Sequence, residues 1–373
     1  MGQGEARSAL WRSESGAPAP VRVVEADDRI TADEAYGLAC QGTALLWHGD
    51  FQNARQMLLA LGRRADRRPR SLKGSATPSS ALEAFNLYRQ ARSQRARTLN
   101  SLLVPLDEGF TIPLPRAPDV RQACTEAFGQ ANGPSLISLR GLLGVIGAHE
   151  WRIRGIEIPA AGGRIHPRYG VFAPIRREYV DLVATVPLPP NLLNGGAALD
   201  IGTGTGVLAA VLARRGVARV IATDIDPRAV LCARENIEAL GWTPRVRVME
   251  ADLFPPGRAT LAVCNPPWLP ARPSSSLERA VYDPESRMLL GFLDGLAAHL
   301  EPAGEGWLIL SDLAEHLGLR SRQALLAAFA TGRLQVLGRD EVRPSHPRAL
   351  DPHDPLYAAR AAEMTSLWRL API

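Results

Sequence analysis

The sequence predicts an α/β protein in two parts, a mainly helical N-terminal domain over residues 31–155 and a mostly parallel, helix-covered sheet over 156–373. Three observations predict it. At 373 residues the chain is long for one hydrophobic core, so two domains are expected. After Ala160 the texture changes: short apolar, β-rich runs alternate with amphipathic helical patterns, the mark of stacked βαβ units. Finally, "ALDIGTGTGVLAAVLA" (198–213) reads as a strand, a glycine-rich turn and a helix in immediate succession.

Composition narrows the class. Hydrophobic residues make up 46% and charged residues 22%, the profile of a folded globular chain. A formal charge of +5 permits an anionic partner without requiring one, because Lys73 is the sole lysine and the arginine richness reads as a coding bias. Cys40, Cys124, Cys232 and Cys264 are scattered with no CxxC pair, which argues against a disulfide framework and a structural zinc site. The N-terminus has no apolar core of a secretory signal, and no apolar run approaches the ~18 residues of a membrane span. A cytoplasmic location is the expectation.

Along the chain, residues 1–30 are rich in Gly, Pro and charge and are expected to be flexible. Residues 31–64 show helical spacing broken near "HGD", giving two short helices. "RRADRRPRSLKGSATPSS" (63–80) reads as a loop, and Ala81–Leu103 as a helix with serines before it as N-caps. A Pro-rich connector follows, then a helical stretch and "SLRGLLGVIGAHEWRIRGIEIP", helix passing into strand. In the second part, "GAALDIG", "RVIATD", "RVRVMEAD", "LAVCNPPW", "GEGWLILSDL", "LQVLGRDEV" and "AEMTSLWRLAPI" supply strands.

The strand ends carry the chemistry. Gly202, Gly204 and Gly206 let the backbone approach a ligand at the C-terminal edge of a parallel sheet, where such folds bind. Val207 stands where the third glycine of a dinucleotide turn would fall, and Asp200 would repel a pyrophosphate but can orient an amino group. A cationic amino-acid ligand therefore fits better than a dinucleotide. Asp224 ends the second strand, where a carboxylate can accept both hydroxyls of a ribose. Asp226-Pro227 has the form of an N-cap and helix start, a structural role. Asp252 ends the third strand and can accept from an exocyclic adenine amine. The fourth ends in Asn265-Pro266-Pro267-Trp268.

This series resembles the class I S-adenosylmethionine-dependent methyltransferases, from about Arg164 to the C-terminus. The resemblance implies a Rossmann-like seven-stranded sheet with its last strand antiparallel. It also implies S-adenosylmethionine as cofactor, held by Asp200, Gly202, Thr203, Gly204, Gly206, Asp224, Ile225, Asp252 and Leu253. "HPRYGVFAPIRREYVDLV" is similar to the segment that covers bound cofactor, making Phe172 and Tyr169 candidate contacts. "NPPW" looks like the (N/D)PP(Y/F/W) signature of amino-methylating members, so Asn265, Pro266, Pro267 and Trp268 are the candidate catalytic residues.

The chemistry suits that signature. The lone pair of an amide or aromatic amine is delocalised, and two acceptors on its N–H groups, the Asn265 side-chain oxygen and the Pro266 carbonyl, turn the out-of-plane lobe toward the methyl group. Pro267 holds Pro266 extended, and Trp268 is expected to lie against the flat substrate.

Among amino-methylating families the chain looks most like the protein-(glutamine-N5) methyltransferases, which act on release factors and ribosomal protein. It departs from them in carrying Trp268 where tyrosine is usual, and in a longer N-terminal region. The alternatives are methylation of adenine N6 or guanine N2 in RNA or DNA, with the basic segment 63–97 holding phosphates, and a non-catalytic cofactor-binding protein. No metal is expected: His346, Asp351, His353 and Asp354 lie in a Pro-rich loop without helical register. His149, His299 and His316 read as packed or surface residues.

Overall fold

The structure is a computed structural model that describes residues 9–13, 16–66, 78–273, 277–345 and 351–373. Two compact units divide the chain, one of Met1–Ser79 with Asn86–Glu150 and one of Ser80–Phe85 with Trp151–Ile373.

The first unit keeps the helical content expected of it and adds a sheet that the sequence reading did not include. Its elements are β1 (Leu10–Arg12), β2 (Arg22–Ala26), α1 (Ala32–Cys40), β3 (Thr43–Trp47), α2 (Phe51–Ala65), α3 (Ala81–Asn100) from Asn86 on, β4 (Leu102–Leu106), α4 (Arg121–Phe128), β5 (Ser135–Ser138) and α5 (Leu139–Arg154) as far as Glu150. The five strands form one sheet in the order β1-β5-β4-β3-β2. β2, β3 and β4 run parallel, and β5 is antiparallel to β4. β1 and β2 also replace the flexible segment expected over residues 1–30, of which 1–8 and 14–15 lie outside the described residues. "TALLW" and "LLVPL" are five-residue apolar runs beside helical patterns, and periodicity does not separate such a run from a helix turn. The "HGD" break is a strand end followed by a cap: Asp50 accepts from the backbone of Gln52 and Asn53 and so starts α2. Thr31 and Glu34 form a capping box on α1.

The second unit opens with a small antiparallel ribbon, β6 (Ile156–Ile158) and β7 (Gly163–Ile165), then α6 (Glu178–Thr185). There follow β8 (Ala197–Ile201), α7 (Val207–Arg214), β9 (Arg219–Asp224), α8 (Pro227–Ala239), β10 (Val246–Glu250), β11 (Ala259–Cys264) and α9 (Arg287–His299). The remaining elements are β12 (Leu300–Ser311), α10 (Leu313–His316), α11 (Arg322–Thr331), β13 (Leu334–Val342), α12 (Tyr357–Ala362) and β14 (Thr365–Pro372). Seven strands make one sheet in the order β10-β9-β8-β11-β12-β14-β13, with β14 antiparallel to both neighbours, as expected for the closing strand.

β8 and β11 are buried from end to end because packed layers cover both faces of the sheet, which is why "AALDI" and "ATLAVC" show no polar alternation beyond their ends. One apolar cluster gathers α6, α7 and α8 against one face, and another gathers α9 and α11 against the opposite face. Every residue of α7 except Arg214 is buried. Gly206, with φ of 81°, opens that helix where an added Cβ would stand 3.2 Å from Ala233 Cα, so the close packing of α7 on α8 needs glycine there.

Candidate functional site

β8, β9, β10 and β11 are mutually parallel neighbours, so their C-terminal ends emerge along one edge. Ile201 pairs with Thr223, Glu250 with Asp224, and Cys264 with Ile201. That register sets Gly202, Asp224, Asp252 and Asn265 in one row.

The glycine turn is tied down through its neighbours. The Thr223 carbonyl accepts from both Gly202 N (2.9 Å) and Thr203 N (2.8 Å), and Asp224 Oδ2 accepts from Gly204 N at 3.0 Å. Asp200 is 1% exposed. Its Oδ2 accepts from Thr203 Oγ1 at 2.6 Å and Ala209 N at 3.0 Å. Burial pushes its carboxyl up to about 6, against these hydrogen bonds and with help from the charge of Asp224. Burial also raises Asp224, although it accepts from the backbone of Asp226 and Gly204. The hydrogen-bond partners of the two carboxylates among the described residues are backbone N–H groups and the Thr203 hydroxyl. A buried acid and a half-buried one, neither in an ion pair among the described residues, suit a ligand that brings positive charge and hydroxyl donors, and they oppose a pyrophosphate. Beside them, no described residue lies within 4 Å of where a Cβ on Gly204 would sit, so the turn has an open face.

Asp226 takes the structural role expected of it: its side chain caps α8 through Arg228 N at 2.9 Å. Ile225 is exposed, and Leu253 has a φ of 69° with its carbonyl held by Thr223 Oγ1 at 2.7 Å. Asp252 is half exposed, and its Oδ2 is paired with Arg287 at 2.6 Å. The methyl of Met288, at the start of α9, lies against Gly202 and would stand 2.2 Å from a Cβ there.

The covering segment 166–176 is docked on α8. Asn236, which is buried, accepts from His166 N at 2.7 Å and donates to the Thr205 carbonyl at 3.0 Å, joining that segment to the glycine turn. Arg168 grips Glu235, with Nε at 2.7 Å, and Arg152 reaches the same carboxylate at 3.3 Å. Phe172 is exposed and Tyr169 half-buried on this segment.

At the end of β11, Asn265 is half-buried and Pro266 buried. Trp268 Nε1 donates to Asn265 Oδ1 at 2.9 Å. The guanidinium of Arg176 lies over the Trp268 ring, Cζ 4.7 Å from the centroid, so one face meets a cation where a flat substrate was expected. The turn is anchored from behind by a return segment: Leu269 N donates to Val281 O and Asp283 N to Leu269 O. Asp283, also buried, accepts from Met288 N and Leu289 N and holds the start of α9, where Glu285 and Ser286 both have positive φ.

Sequence reasoning missed Asn236, Asp283 and the group Arg176, Glu178 and Glu363. The one signal was charge density in "APIRREYVDLV" and "ARENIEALG", which on its own resembles an ordinary solvated face.

In the basic segment, Arg64 pairs with Asp33 and Arg95 with Asp66, each at 2.7 Å, while Arg67, Arg68, Arg70 and Lys73 lie outside the described residues. His149 bonds Glu126, His299 stacks on Phe254, and His316 meets Asp312. Among the described residues no group of His, Cys, Asp and Glu is arranged to hold a metal ion. Asp351 and Asp354 cap turns of their own loop, and His346 lies outside the described residues. No helix among the described residues is long and apolar enough to cross a membrane.

Comparison with known proteins gives the group. A family model described as "Methyltransferase small domain" matches residues 164–329, from the covering segment through α11. The tRNA1(Val) (adenine(37)-N6)-methyltransferase of Shewanella amazonensis is 32% identical over 159 residues, covering 38% of this chain and 68% of that protein. The chain belongs to the small-domain family of class I methyltransferases. The release factor glutamine methyltransferase of Cereibacter sphaeroides is 34% identical over 162 residues, 39% of this chain and 57% of that protein. Its counterpart from Caulobacter vibrioides is 36% identical, covering 37% of this chain and 51% of that protein. The chain thus spans about half to two thirds of these relatives. The family match, residues 164–329, lies within the second unit, the one that carries the row of strand ends.

Proposed function

We propose that the protein is an S-adenosylmethionine-dependent N-methyltransferase that acts on a planar amide or amine nitrogen of a macromolecule. One observation carries this reading: the pairing of Cys264 with Ile201 brings the Asn265-Pro266-Pro267 turn out beside the glycine turn, acceptors next to cradle. When bound, the cofactor supplies an electrophilic methyl group. Asp224 would hold its ribose hydroxyls, Asp200 would set the field for its amino group, Asp252 would accept from its adenine amine, and Phe172 and Ile225 would give apolar cover. Asn265 Oδ1 and the Pro266 carbonyl then each accept one N–H of the target nitrogen. Their bonds strengthen as that nitrogen becomes pyramidal and positive, so they stabilise the transition state more than the ground state. No acid or base need act before transfer, since the proton can leave afterwards.

For the substrate, the first reading is a protein glutamine side chain, supported by the release-factor relatives and by the NPP-aromatic signature. A second reading, an exocyclic amine of RNA, is favoured by the tRNA relative and by α3. That helix carries Arg89, Arg92, Arg95 and Arg97 against Glu83 alone, and it buries only Phe85, Thr98 and Leu99. A helix so polar around its girth is suited to a polyanion. In either case the first unit is the substrate-recognising part and the cytoplasm the setting. A non-catalytic binding protein would have no use for Asn265 beside an intact cofactor row.

Calorimetry with S-adenosylmethionine tests the cofactor: binding is expected, severely weakened in Asp224→Ala, and an absence of binding by the unaltered protein refutes the reading. Asn265→Ala is expected to bind cofactor normally and transfer nothing. Tritiated cofactor incubated with native lysate, followed by protease or RNase, separates the substrates. Label lost to protease supports glutamine, and label lost only to RNase supports the second reading.

A further inference from the structure

The indole of Trp268 is half-buried and packed against the apolar clusters on both faces of the sheet. Arg176 is fixed above it. Its Nε donates to Glu178 Oε1 at 2.6 Å, and its Nη atoms to Glu363 Oε1 at 3.0 Å and Thr365 Oγ1 at 3.4 Å. These carboxylates are only 4% and 3% exposed, and Glu363 takes a further bond from Ser311 Oγ at 2.7 Å. A guanidinium shared by two buried carboxylates does not swing aside for a stacking ligand, because leaving would strand both charges.

The ring's N–H meets Asn265 at 2.9 Å. A carboxamide rotated by half a turn exchanges an acceptor for a donor, and only the oxygen can receive a substrate N–H. An indole N–H is a donor and nothing else, so it selects the rotamer that offers oxygen. One of the two acceptor positions on Oδ1 remains for the substrate.

We propose that Trp268 and Arg176 are positioning residues: Arg176 fixes the ring, and the ring's N–H holds the Asn265 carboxamide in its accepting orientation. This rests on the reading of Asn265 as the acceptor for the target nitrogen. A phenylalanine at 268 keeps an aromatic surface and loses the orientation.

The test uses the full chain labelled with nitrogen-15, without cofactor or substrate. The Trp268 indole signal, assigned by its loss in Trp268→Phe, is expected to be protected from solvent exchange. Exchange becomes at least tenfold faster in Asn265→Ala and in Arg176→Lys, and is restored in Asn265→Asp, whose carboxylate still accepts. An indole signal that Asn265→Ala leaves unmoved overturns the proposal. If Arg176→Lys does not fold, the Asn265 pair carries the measurement.

In parallel, Trp268→Phe is expected to bind S-adenosylmethionine within twofold of the unaltered protein. Its rate of tritium transfer to lysate macromolecules falls at least tenfold at every lysate concentration. A rate that recovers fully at high lysate concentration would make Trp268 a binding platform and overturn the proposal. Failure of the methyltransferase reading would show separately, as no transfer by the unaltered protein.

Discussion

Acidification offers a direct probe of Asp200. Its carboxyl is pushed up to about 6 because it is buried, held up further by Asp224 and lowered only in part by its bonds from Thr203 and Ala209. A bound cationic amino group returns it toward the ordinary 3.8. Ligand affinity is then coupled to proton release. Above pH 7 the carboxylate is already ionised and affinity is flat. At pH 6 half of the sites must release a proton, and by pH 5 affinity is weaker by about tenfold, or ~1.4 kcal/mol. The shift of about two units caps the effect near a hundredfold. Asp224 is shifted in the same direction and can only steepen the slope.

Calorimetric titration of S-adenosylmethionine at pH 5, 6 and 7.5, each in two buffers of different ionisation enthalpy, reads both the affinity and the released protons. In Asp200→Asn the slope due to this group disappears, leaving the part due to Asp224. Affinity that stays within twofold between pH 5 and 7.5, with no buffer-dependent heat, refutes the assignment of Asp200 as the carboxylate facing a cation. The sign for the free protein is opposite. A carboxyl raised in the folded state destabilises the ionised fold, by about 3 kcal/mol at neutral pH, and that cost is relieved as pH falls from about 6 toward 3.8.

Three further outcomes follow from the packing. Asn236→Ala removes the link between His166 and the Thr205 carbonyl and leaves a buried carbonyl unpaired, so thermal denaturation is expected to show a loss of about 1–3 kcal/mol, with weaker cofactor binding by calorimetry. Gly206→Ala forces a left-handed alanine whose methyl meets Ala233 at 3.2 Å, for a loss of about 1–3 kcal/mol in denaturant unfolding. Asp283→Ala deprives Met288 N and Leu289 N of their acceptor and relaxes the strained turn. A loss of about 1–2 kcal/mol is expected, with greater protease sensitivity between residues 283 and 288.

The sequence made the seven-stranded sheet legible because its strands are apolar runs with abrupt polar ends. Asp200, Asp224, Asp252 and Asn265 each stand where such a run stops, and parallel pairing brings them to one edge. The strands of the first unit went unread because β3 and β4 are short, mostly apolar runs, the length of a helix turn and a half, and the sheet that gives them partners is a property of the folded chain. The surroundings of Trp268 were hidden for another reason. Arg176 and Glu363 are 187 residues apart in sequence, and neither forms a local pattern that marks it. The aromatic after the prolines was visible, but the guanidinium covering it depends on where α6 and the approach to β14 pack.

The placement of β14 also bears on how the sheet is made. It lies between β12 and β13, which both precede it in the chain, and β13 pairs with β14 in the sheet. During synthesis β12 and β13 leave the ribosome first and must wait for the strand that joins them. For that interval the edge of the apolar strand β12 stands unpaired, and an open strand edge can join a neighbouring chain. The sheet of the second unit is therefore complete only once β14 has been synthesised.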